Sequence, residues 1–205
     1  MNLSPYIKAG YSILYLQSVE EARCEGNILA TAKELKRDVR IWSYTSGFAD
    51  SDGGNPDVTV DPQEALIKIK GEKPNTIFIM RDFHTFFSNP KILRHVRDIA
   101  SEFSQQKKTM IIVSPVKKLA PEIERDVTVI EFDLPKKDEI QKIWNSLYTP
   151  RTDKIGKFSS DEHEKIVHAA LGLTTVEAET AFAKAIVERA SDTTQPISKL
   201  VMREK

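Results

Sequence analysis

Three things are scarce in this chain: cysteine, net charge and long apolar runs. Cys24 is the single cysteine among 205 residues, so neither an internal disulfide nor a cysteine-rich metal site can form. Lysine and arginine number 30, as do aspartate and glutamate, so a polybasic surface is excluded by bulk charge, although a local patch is left open. No apolar stretch approaches the roughly 18 residues of a membrane span, and no targeting segment begins the chain. We expect a cytoplasmic protein with Cys24 buried in a helix, without a metal site and without membrane contact.

Strand and helix patterns alternate through the first two thirds of the chain. The predicted strands are short apolar runs at Ile13–Leu16, Val39–Tyr44, Thr76–Met80, Thr109–Val113 and Val127–Phe132. Helices are predicted from Ser18 to about Lys36, after an Asp61 N-cap, and from Pro90 to Gln105, whereas Ser46 to Pro56 is typical of a loop. Five such strands separated by helices predict an α/β fold with a parallel sheet covered on both faces.

The pattern becomes purely helical after Pro135. Helices are predicted at Lys137–Tyr148, from Ser159-Ser160 to about Leu171, and from Thr174 or Thr175 to about Arg189, with a polar linker at Thr149–Ser160. No element is predicted for Ile197–Lys205, which is charged and has no clear stop, as expected of a chain cut at a domain boundary. We therefore predict an α/β subdomain over 1–134 and a small helical lid over 135–205.

The turn after the first strand is the most informative part of the sequence. A phosphate-binding loop at this place needs glycines, a lysine and a Ser or Thr, whose amides cradle the phosphates. The turn here is Gln17-Ser18-Val19-Glu20-Glu21, with no glycine and no lysine. Ser18 and Glu21 predict a capping box, and the two glutamates satisfy the positive helix end. A triphosphate would meet like charge at this turn.

The third strand ends in Arg81-Asp82-Phe83-His84. An apolar strand followed by an acid is typical of a magnesium-positioning strand, which a second acid normally follows. If Asp82 positions the metal, Phe83 replaces the second acid; if Asp82 is that second acid, Arg81 occupies the metal position. Asp82 as a strand-end residue held by hydrogen bonds, and His84 as a structural histidine, are the alternatives. We assign no catalytic residue.

Other polar residues near the strand ends have two interpretations each. Ser114 ends the fourth strand, where a nucleotidase of this architecture places a side chain that senses the γ-phosphate. Arg94 and Arg97 follow the third strand and face either a neighbouring subunit or solvent. The aromatic residues near strand ends form either a base-stacking platform or core or interface packing; they are Trp42, Tyr44, Phe86 and Phe87. Lysines near the fourth strand offer a local nucleic-acid contact; they are Lys107, Lys108, Lys117 and Lys118.

Several segments, in this order, resemble a known family. They are Phe78–His84, Leu119–Ile123, Phe132–Pro135 followed by Asp138-Glu139-Ile140, and Leu171–Glu179. Together they are similar to the conserved-frame AAA ATPases of chloroplast genomes, cyanobacteria and related phages. The resemblance implies a P-loop-NTPase-like, AAA+-type fold and the degenerate ATPase-like half that precedes an intact AAA ATPase half. It places the family's ATP and Mg²⁺ outside this chain, for which no cofactor is expected, and makes Arg125 a third intersubunit candidate.

Three functional hypotheses follow. The first is a non-catalytic AAA-like module for assembly or partner recognition, with protein partners or self-association. The second is a weak ATPase with a non-standard site. The third is a nucleic-acid-binding accessory factor, which the net charge does not support.

Overall fold

The computed structural model describes residues 1–149 and 155–205, which form two compact units, Met1–Phe132 and Asp133–Lys205. From the sequence pattern, we predict the boundary between the two subdomains after Leu134. Each unit has its own buried apolar core.

The first unit alternates strands and helices as predicted, with one strand more. Its elements are α1 (Ser4–Lys8), β1 (Ile13–Gln17), α2 (Glu21–Glu34), β2 (Asp38–Ser43), β3 (Gly47–Asp50), α3 (Pro62–Gly71), β4 (Thr76–Arg81), α4 (Pro90–Glu102), β5 (Thr109–Ser114) and β6 (Thr128–Glu131). Short 3₁₀ turns lie at Phe83–Phe86 and Pro121–Ile123. The predicted N-cap of α3 is confirmed, since the Asp61 carboxylate accepts from the amides of Gln63 and Glu64, both at 2.9 Å.

The assignment of 46–56 as a loop is wrong for its first part, because β3 forms a hairpin with β2. Trp42 lies opposite Phe48, and both side chains are buried. Gly47 begins β3 with a φ of +67° and lies against the backbone of Asp57, where a Cβ would be only 2.1 Å from a carbonyl oxygen. The turn that joins the two strands is 44–46, whereas the glycines and aspartates of the segment lie within β3 and directly after it, and their turn-forming character hides the short strand from composition alone.

The sheet has the order β3-β2-β4-β5-β1-β6, and every neighbouring pair is parallel except β2 with β3. β1 therefore lies inside the sheet, beside β5 and β6. Ile13 and Tyr15 point into one core, whereas Leu14 and Leu16 point into the core on the other face. Burial on both faces explains why the strand reads as an unbroken apolar run. The parallel arrangement brings the carboxyl ends of β1, β4 and β5 to one edge, where ligands bind in open α/β sheets.

The second unit is helical in the part that the structure describes. Its helices are α5 (Lys137–Tyr148), α6 (Ser160–Ala170), α7 (Thr175–Ser191) and α8 (Ile197–Met202). The predicted starts of α6 and α7 are confirmed, and the structure adds a capping box at each, with Ser159 and Thr174 as the N-caps. The pattern does not predict α8, which buries Ile197, Leu200 and Val201 in the helical core. Residues 150–154 of the predicted linker at 149–160 lie outside the described residues, and α6 begins at its last residue, Ser160.

Candidate functional site

The turn between β1 and α2 is short and internally bonded. Three residues, Ser18 to Glu20, connect the two elements. The amide of Ser18 donates to the carbonyl of Ser114 at 2.8 Å, so the pairing of β1 with β5 continues one residue beyond the strand. The amide of Glu20 donates to the Ser18 hydroxyl at 3.0 Å. Two amides that a phosphate loop would offer to an anion are therefore already bonded within the turn.

The prediction of a capping box between Ser18 and Glu21 is wrong. The Ser18 hydroxyl accepts from Glu20, not from Glu21, and the N-cap position belongs to Glu20, with φ −100° and ψ 67°. The cause is the continued strand pairing, which keeps Ser18 extended and delays the helix to Glu21.

Glu20 is held inside the turn by an ion pair that the sequence pattern did not single out. Its Oε2 lies 2.8 Å from Nη1 of Arg23, and the Glu20 side chain is only 4% exposed. The Arg23 guanidinium lies over the Phe132 ring, 4.8 Å from its centroid. Because the Glu20 carboxylate contacts the Arg23 guanidinium, which in turn contacts the Phe132 ring, the turn is fixed by side chains as well as by its backbone.

Arg81, at the end of β4, is clamped by a carboxylate of α2. Its Nε donates to Oε1 of Glu25 at 2.6 Å, and its Nη2 donates to Oε2 at 2.7 Å. Glu21 adds a second carboxylate 3.5 Å from the same Nε. The hydrogen bonds that Arg81 donates to Glu25 raise the pKa of Arg81, against the opposing effect of burial. Such a two-pronged pair fixes both side chains in one geometry.

The carboxyl group of Glu21 is destabilised as an anion. Partial burial raises its pKa above the ordinary value. Arg81 acts in the opposite direction, whereas the negative charges of Glu25 and Asp82 add to the rise. Burial is thus the main cause of the raised pKa, and Arg81 is the charged neighbour with the largest effect.

Asp82 adopts a left-handed conformation with φ 51° and ψ 23°. Its amide donates to the carbonyl of Val113 at 3.0 Å, and its carbonyl accepts from the amide and hydroxyl of Thr85 at 3.1 and 3.0 Å. The backbone is thus held by hydrogen bonds at the strand end, while the carboxylate is 57% exposed. Phe83 packs edge-on against Trp42, with centroids 5.4 Å apart.

His84 is buried, with 7% of its surface exposed. Its Nδ1 lies 4.0 Å from Oδ1 of Asp82 and has no hydrogen-bond partner among the residues that the structure describes. Burial lowers the pKa of His84, an effect that the charge of Asp82 opposes. His84 is therefore a buried imidazole whose Nδ1 lies near the Asp82 carboxylate without a hydrogen bond to it.

A cavity of about 330 Å³ opens at the carboxyl ends of β2 and β4. Its lining combines two carboxylates, a guanidinium, hydroxyls and two aromatic rings, from Glu21, Ser43, Tyr44, Thr45, Ser46, Arg81, Asp82, Thr85 and Phe86. The Tyr44 and Phe86 rings are 5.3 Å apart, and Tyr44 is 58% exposed. We refer to these nine residues as the acidic cavity.

The other predicted site residues lie elsewhere. Ser114 is buried, and its hydroxyl donates to the carbonyl of Val116 at 3.0 Å, so it belongs to the turn that follows β5. Arg94 pairs with Asp98 on its own helix, and the Nε of Arg97 lies 3.8 Å from Asp126. Arg125 is exposed in the turn before β6. Whether these three arginines contact a neighbouring subunit stays a prediction.

The four lysines named for a nucleic-acid contact do not share one surface. Lys107 and Lys108 precede β5, whereas Lys117 and Lys118 follow it, so the pairs lie at opposite ends of the strand. Lys108 is 2% exposed and donates to the carbonyls of Ile69 and Lys70 at 3.2 and 2.9 Å. It caps the last turn of α3, and burial lowers its pKa.

The remaining chemistry of the described residues is structural. Cys24 is fully buried, as predicted, and burial raises the pKa of its thiol to about 11. Trp42 is buried and donates from Nε1 to the carbonyl of Thr59 at 2.8 Å, which favours packing over base stacking. Across 1–149 and 155–205, no group of three or more metal-ligating side chains could hold an ion. Over the same ranges no helix combines the length and apolar character needed to cross a membrane.

Family models match both parts of the chain. The model for the N-terminal domain of SpoVK-like AAA ATPases matches residues 1–132, and the model for the second domain of the same family matches residues 138–205. The chain belongs to the SpoVK-like AAA ATPases. The resemblance drawn from the sequence motifs, and the AAA-type fold that it implies, are therefore confirmed.

Curated relatives of the family extend well beyond this chain. An uncharacterized AAA domain-containing protein, ycf46, of Guillardia theta is 27% identical over 205 residues, covering 97% of this chain and 39% of that protein. The ycf46 protein of Trieres chinensis is 28% identical over 137 residues, covering 65% of this chain and 28% of that protein. The chain thus spans less than half the length of these relatives.

Solved AAA structures share the fold at low identity. A point variant of Thermotoga maritima RuvB aligns with a TM-score of 0.57 and 13% identity, covering 98% of this chain and 65% of that chain. The FIGL-1 AAA domain, solved in complex with ADP, aligns with a TM-score of 0.54 and 9% identity, covering 93% of this chain and 65% of that chain.

Proposed function

We propose that this chain is a non-catalytic AAA-type module, used for assembly or partner recognition within a longer AAA ATPase-family protein. The ATP-hydrolysing domain of that protein lies outside the 205 residues. The single observation that carries the proposal is the bidentate pair of Arg81 with Glu25, which joins β4 to α2 beside the turn that follows β1.

This ion pair competes with a nucleotide for the same edge of the sheet. The Glu25 side chain is 11% exposed, so breaking the pair would leave a largely buried carboxylate without its cation. Removing one partner of a buried pair costs about 3–5 kcal/mol, and the partial exposure of Arg81 lowers that figure. A phosphate that recruited Arg81 would have to offset this cost.

The surrounding charges add a second obstacle. Glu20 and Glu21 stand at the start of α2, where a bound phosphate would lie. Two like unit charges about 5 Å apart repel by about 3 kcal/mol at an effective dielectric constant of about 20. Arg23 pairs with Glu20 and Arg81 lies 3.5 Å from Glu21, so these guanidinium groups offset part of the repulsion, and a phosphate that recruited either of them would have to replace its carboxylate partner.

Isothermal titration of the 205-residue chain with Mg-ATP and with Mg-ADP tests the proposal. We expect no heat of binding up to about 1 mM nucleotide, which corresponds to less than about 4 kcal/mol of binding free energy. The Arg81→Gln variant is the matched control for any weak signal, since it removes the guanidinium at the end of β4 that a phosphate could recruit. Micromolar binding to the wild-type chain would refute the proposal.

A second candidate function is weak nucleotide binding with slow turnover. The fold shared with the ADP-bound FIGL-1 AAA domain favours it, as does the exposed carboxylate of Asp82 at the end of β4. This function predicts that Asp82→Ala lowers the rate of phosphate release from ATP. Equal rates for the variant and the wild-type chain would eliminate it.

A further inference from the structure

A hydrogen bond between two side chains joins α5 to α6 in the helical unit. Nε1 of Trp144 donates to Nδ1 of His163 over 2.7 Å, and Trp144 is fully buried. An indole N–H can only donate, so Nδ1 of His163 must carry a free lone pair. The neutral imidazole therefore holds its proton on Nε2. A second proton would occupy Nδ1, and the hydrogen bond from the indole could not form.

The same two side chains belong to an aromatic cluster that also fixes the chain just before α6. Trp144 stacks on Tyr148, with ring centroids 5.2 Å apart and 17° between the planes. The Tyr148 hydroxyl accepts from the amide of Phe158 at 3.2 Å and donates to the carbonyl of Gly156 at 3.3 Å. The rings of Tyr148 and His163 meet edge to face, 4.7 Å apart. Loss of the imidazole contact would therefore loosen the hold of α5 on the residues that lead into α6.

The charged groups closest in sequence to His163 have partners of their own. Glu162 accepts from Ser159 at the start of α6, and Glu164 pairs with Lys137 of α5. The other charged groups in this region border the cavity that Glu162 lines; they are Lys165 of α6, Arg189 of α7 and Lys199 of α8. The imidazole itself forms no ion pair in the part of the chain that the structure describes. Protonation of the imidazole would thus cost a hydrogen bond without gaining a carboxylate partner that is already in place.

We propose that the hydrogen bond from Trp144 to His163 is a pH-sensitive latch, which holds α6 on α5 at neutral pH and is released when His163 takes up a proton in mild acid. The latch lies wholly in the second unit and is separate from the sheet edge on which the proposed function rests. A histidine in water is half-protonated at about pH 6.5. Since the closed latch excludes this proton, mass action should raise the opening constant about tenfold between about pH 8 and about pH 5.5.

Hydrogen exchange of the two indole N–H groups, followed by NMR of the 205-residue chain, tests the latch. Trp42 provides the internal control, because it donates to a backbone carbonyl that does not titrate. After correction for the intrinsic effect of pH on exchange, the protection of the Trp144 indole and of the Phe158 amide should fall about tenfold over this pH range. The protection of the Trp42 indole should not change. Equal protection of the Trp144 indole at both pH values would overturn the proposal.

Two variants connect the pH dependence to one histidine. His163→Asn keeps an acceptor oxygen close to the position of Nδ1 but takes up no proton, so the protection of the Trp144 indole should no longer depend on pH in this range. The matched control is His168→Asn, which removes an exposed histidine further along the same helix and should keep the tenfold dependence. A dependence that survives in His163→Asn, or that disappears in His168→Asn, would overturn the proposal.

The protonation state of His163 in the wild-type chain provides a test that needs no variant. At about pH 8 its imidazole ¹⁵N frequencies should be those of the tautomer with the proton on Nε2, because Nδ1 accepts from Trp144. This tautomer, together with a Trp144 indole that loses protection in mild acid, supports the latch. A proton on Nδ1 at this pH would overturn the proposal, even if His163→Asn failed to fold.

Discussion

Removing Arg81 should destabilise the first unit through the carboxylate that it leaves behind. In Arg81→Met, the aliphatic packing is largely kept, but Glu25 loses both of its short hydrogen bonds. Loss of one partner costs about 3–5 kcal/mol in a buried pair and about 0–1 kcal/mol in an exposed one. Since the side chains are 36% and 11% exposed, we expect about 2 kcal/mol for this pair.

A double-mutant cycle isolates the pair from other effects. Glu25→Gln should cost about 1 kcal/mol, and Arg81→Met/Glu25→Gln should be less destabilised than the sum of both, with a coupling of about 1 kcal/mol or more. Urea titration followed through the NMR signals of β4 reports on the first unit separately. The exposed pair of Lys8 with Glu34, 3.7 Å apart, provides the control variant Lys8→Met, for which no measurable change is expected. A coupling below about 0.3 kcal/mol would refute the claim that Arg81 is held in place by Glu25.

Three further predictions concern single groups. Glu21→Gln should raise the free energy of unfolding by a few tenths of a kcal/mol at pH 7, because the folded-state pKa of Glu21 lies above the ordinary value and its ionised form weakens the fold. The difference in stability between the variant and the wild-type chain should vanish below pH 4.5. Urea titrations at both pH values would measure this difference. Lys108→Met should lower the free energy of unfolding by about 1–3 kcal/mol, because two carbonyls of α3 lose their donor. The control, Lys107→Met at the exposed neighbouring position, should change this free energy little. Equal losses of stability in the two variants, measured by urea unfolding, would contradict the capping role of Lys108. In the helical unit, hydrogen bonds from Ser159 and Thr174 hold the pKa values of Glu162 and Glu177 below the ordinary value. The stabilisation from these glutamates is therefore present above pH 4.5 and is lost as the pH falls through the lowered pKa values. Glu162→Gln/Glu177→Gln should weaken this loss of thermal stability at acid pH, and an unchanged dependence on pH would count against the prediction.

Local patterns in the sequence were sufficient to predict most of the architecture. Apolar runs identified the five parallel strands, most clearly β1, β4 and β5, which are buried along almost their whole length. The capping residues Asp61, Ser159 and Thr174 marked helix starts, because a side chain that bonds the first amides leaves a local signature. By contrast, β3 was missed because this short strand, which pairs with β2, lies among glycines and aspartates that favour turns.

The candidate site was only half predictable. The turn Gln17–Glu21 and the strand end at Arg81 were singled out, yet their connection runs through Glu25, 56 positions from Arg81 in sequence. Glu21 and Glu25 share one helix face at a spacing of four, which is the one local hint. Which cation they face depends on where β4 lies in the sheet, and no local pattern encodes that. The same holds for Arg23, whose partner ring belongs to Phe132.

The Nε–H resonance of Arg81 gives the most direct test of whether a nucleotide can enter this edge of the sheet. In the 205-residue chain this proton is donated to Glu25 over 2.6 Å, and we predict that excess Mg-ATP leaves its NMR frequency and its rate of exchange with water unchanged. A saturable shift of this resonance at micromolar Mg-ATP, with faster exchange of the proton, would show that a nucleotide displaces Glu25, and it would contradict the non-catalytic role proposed for this chain.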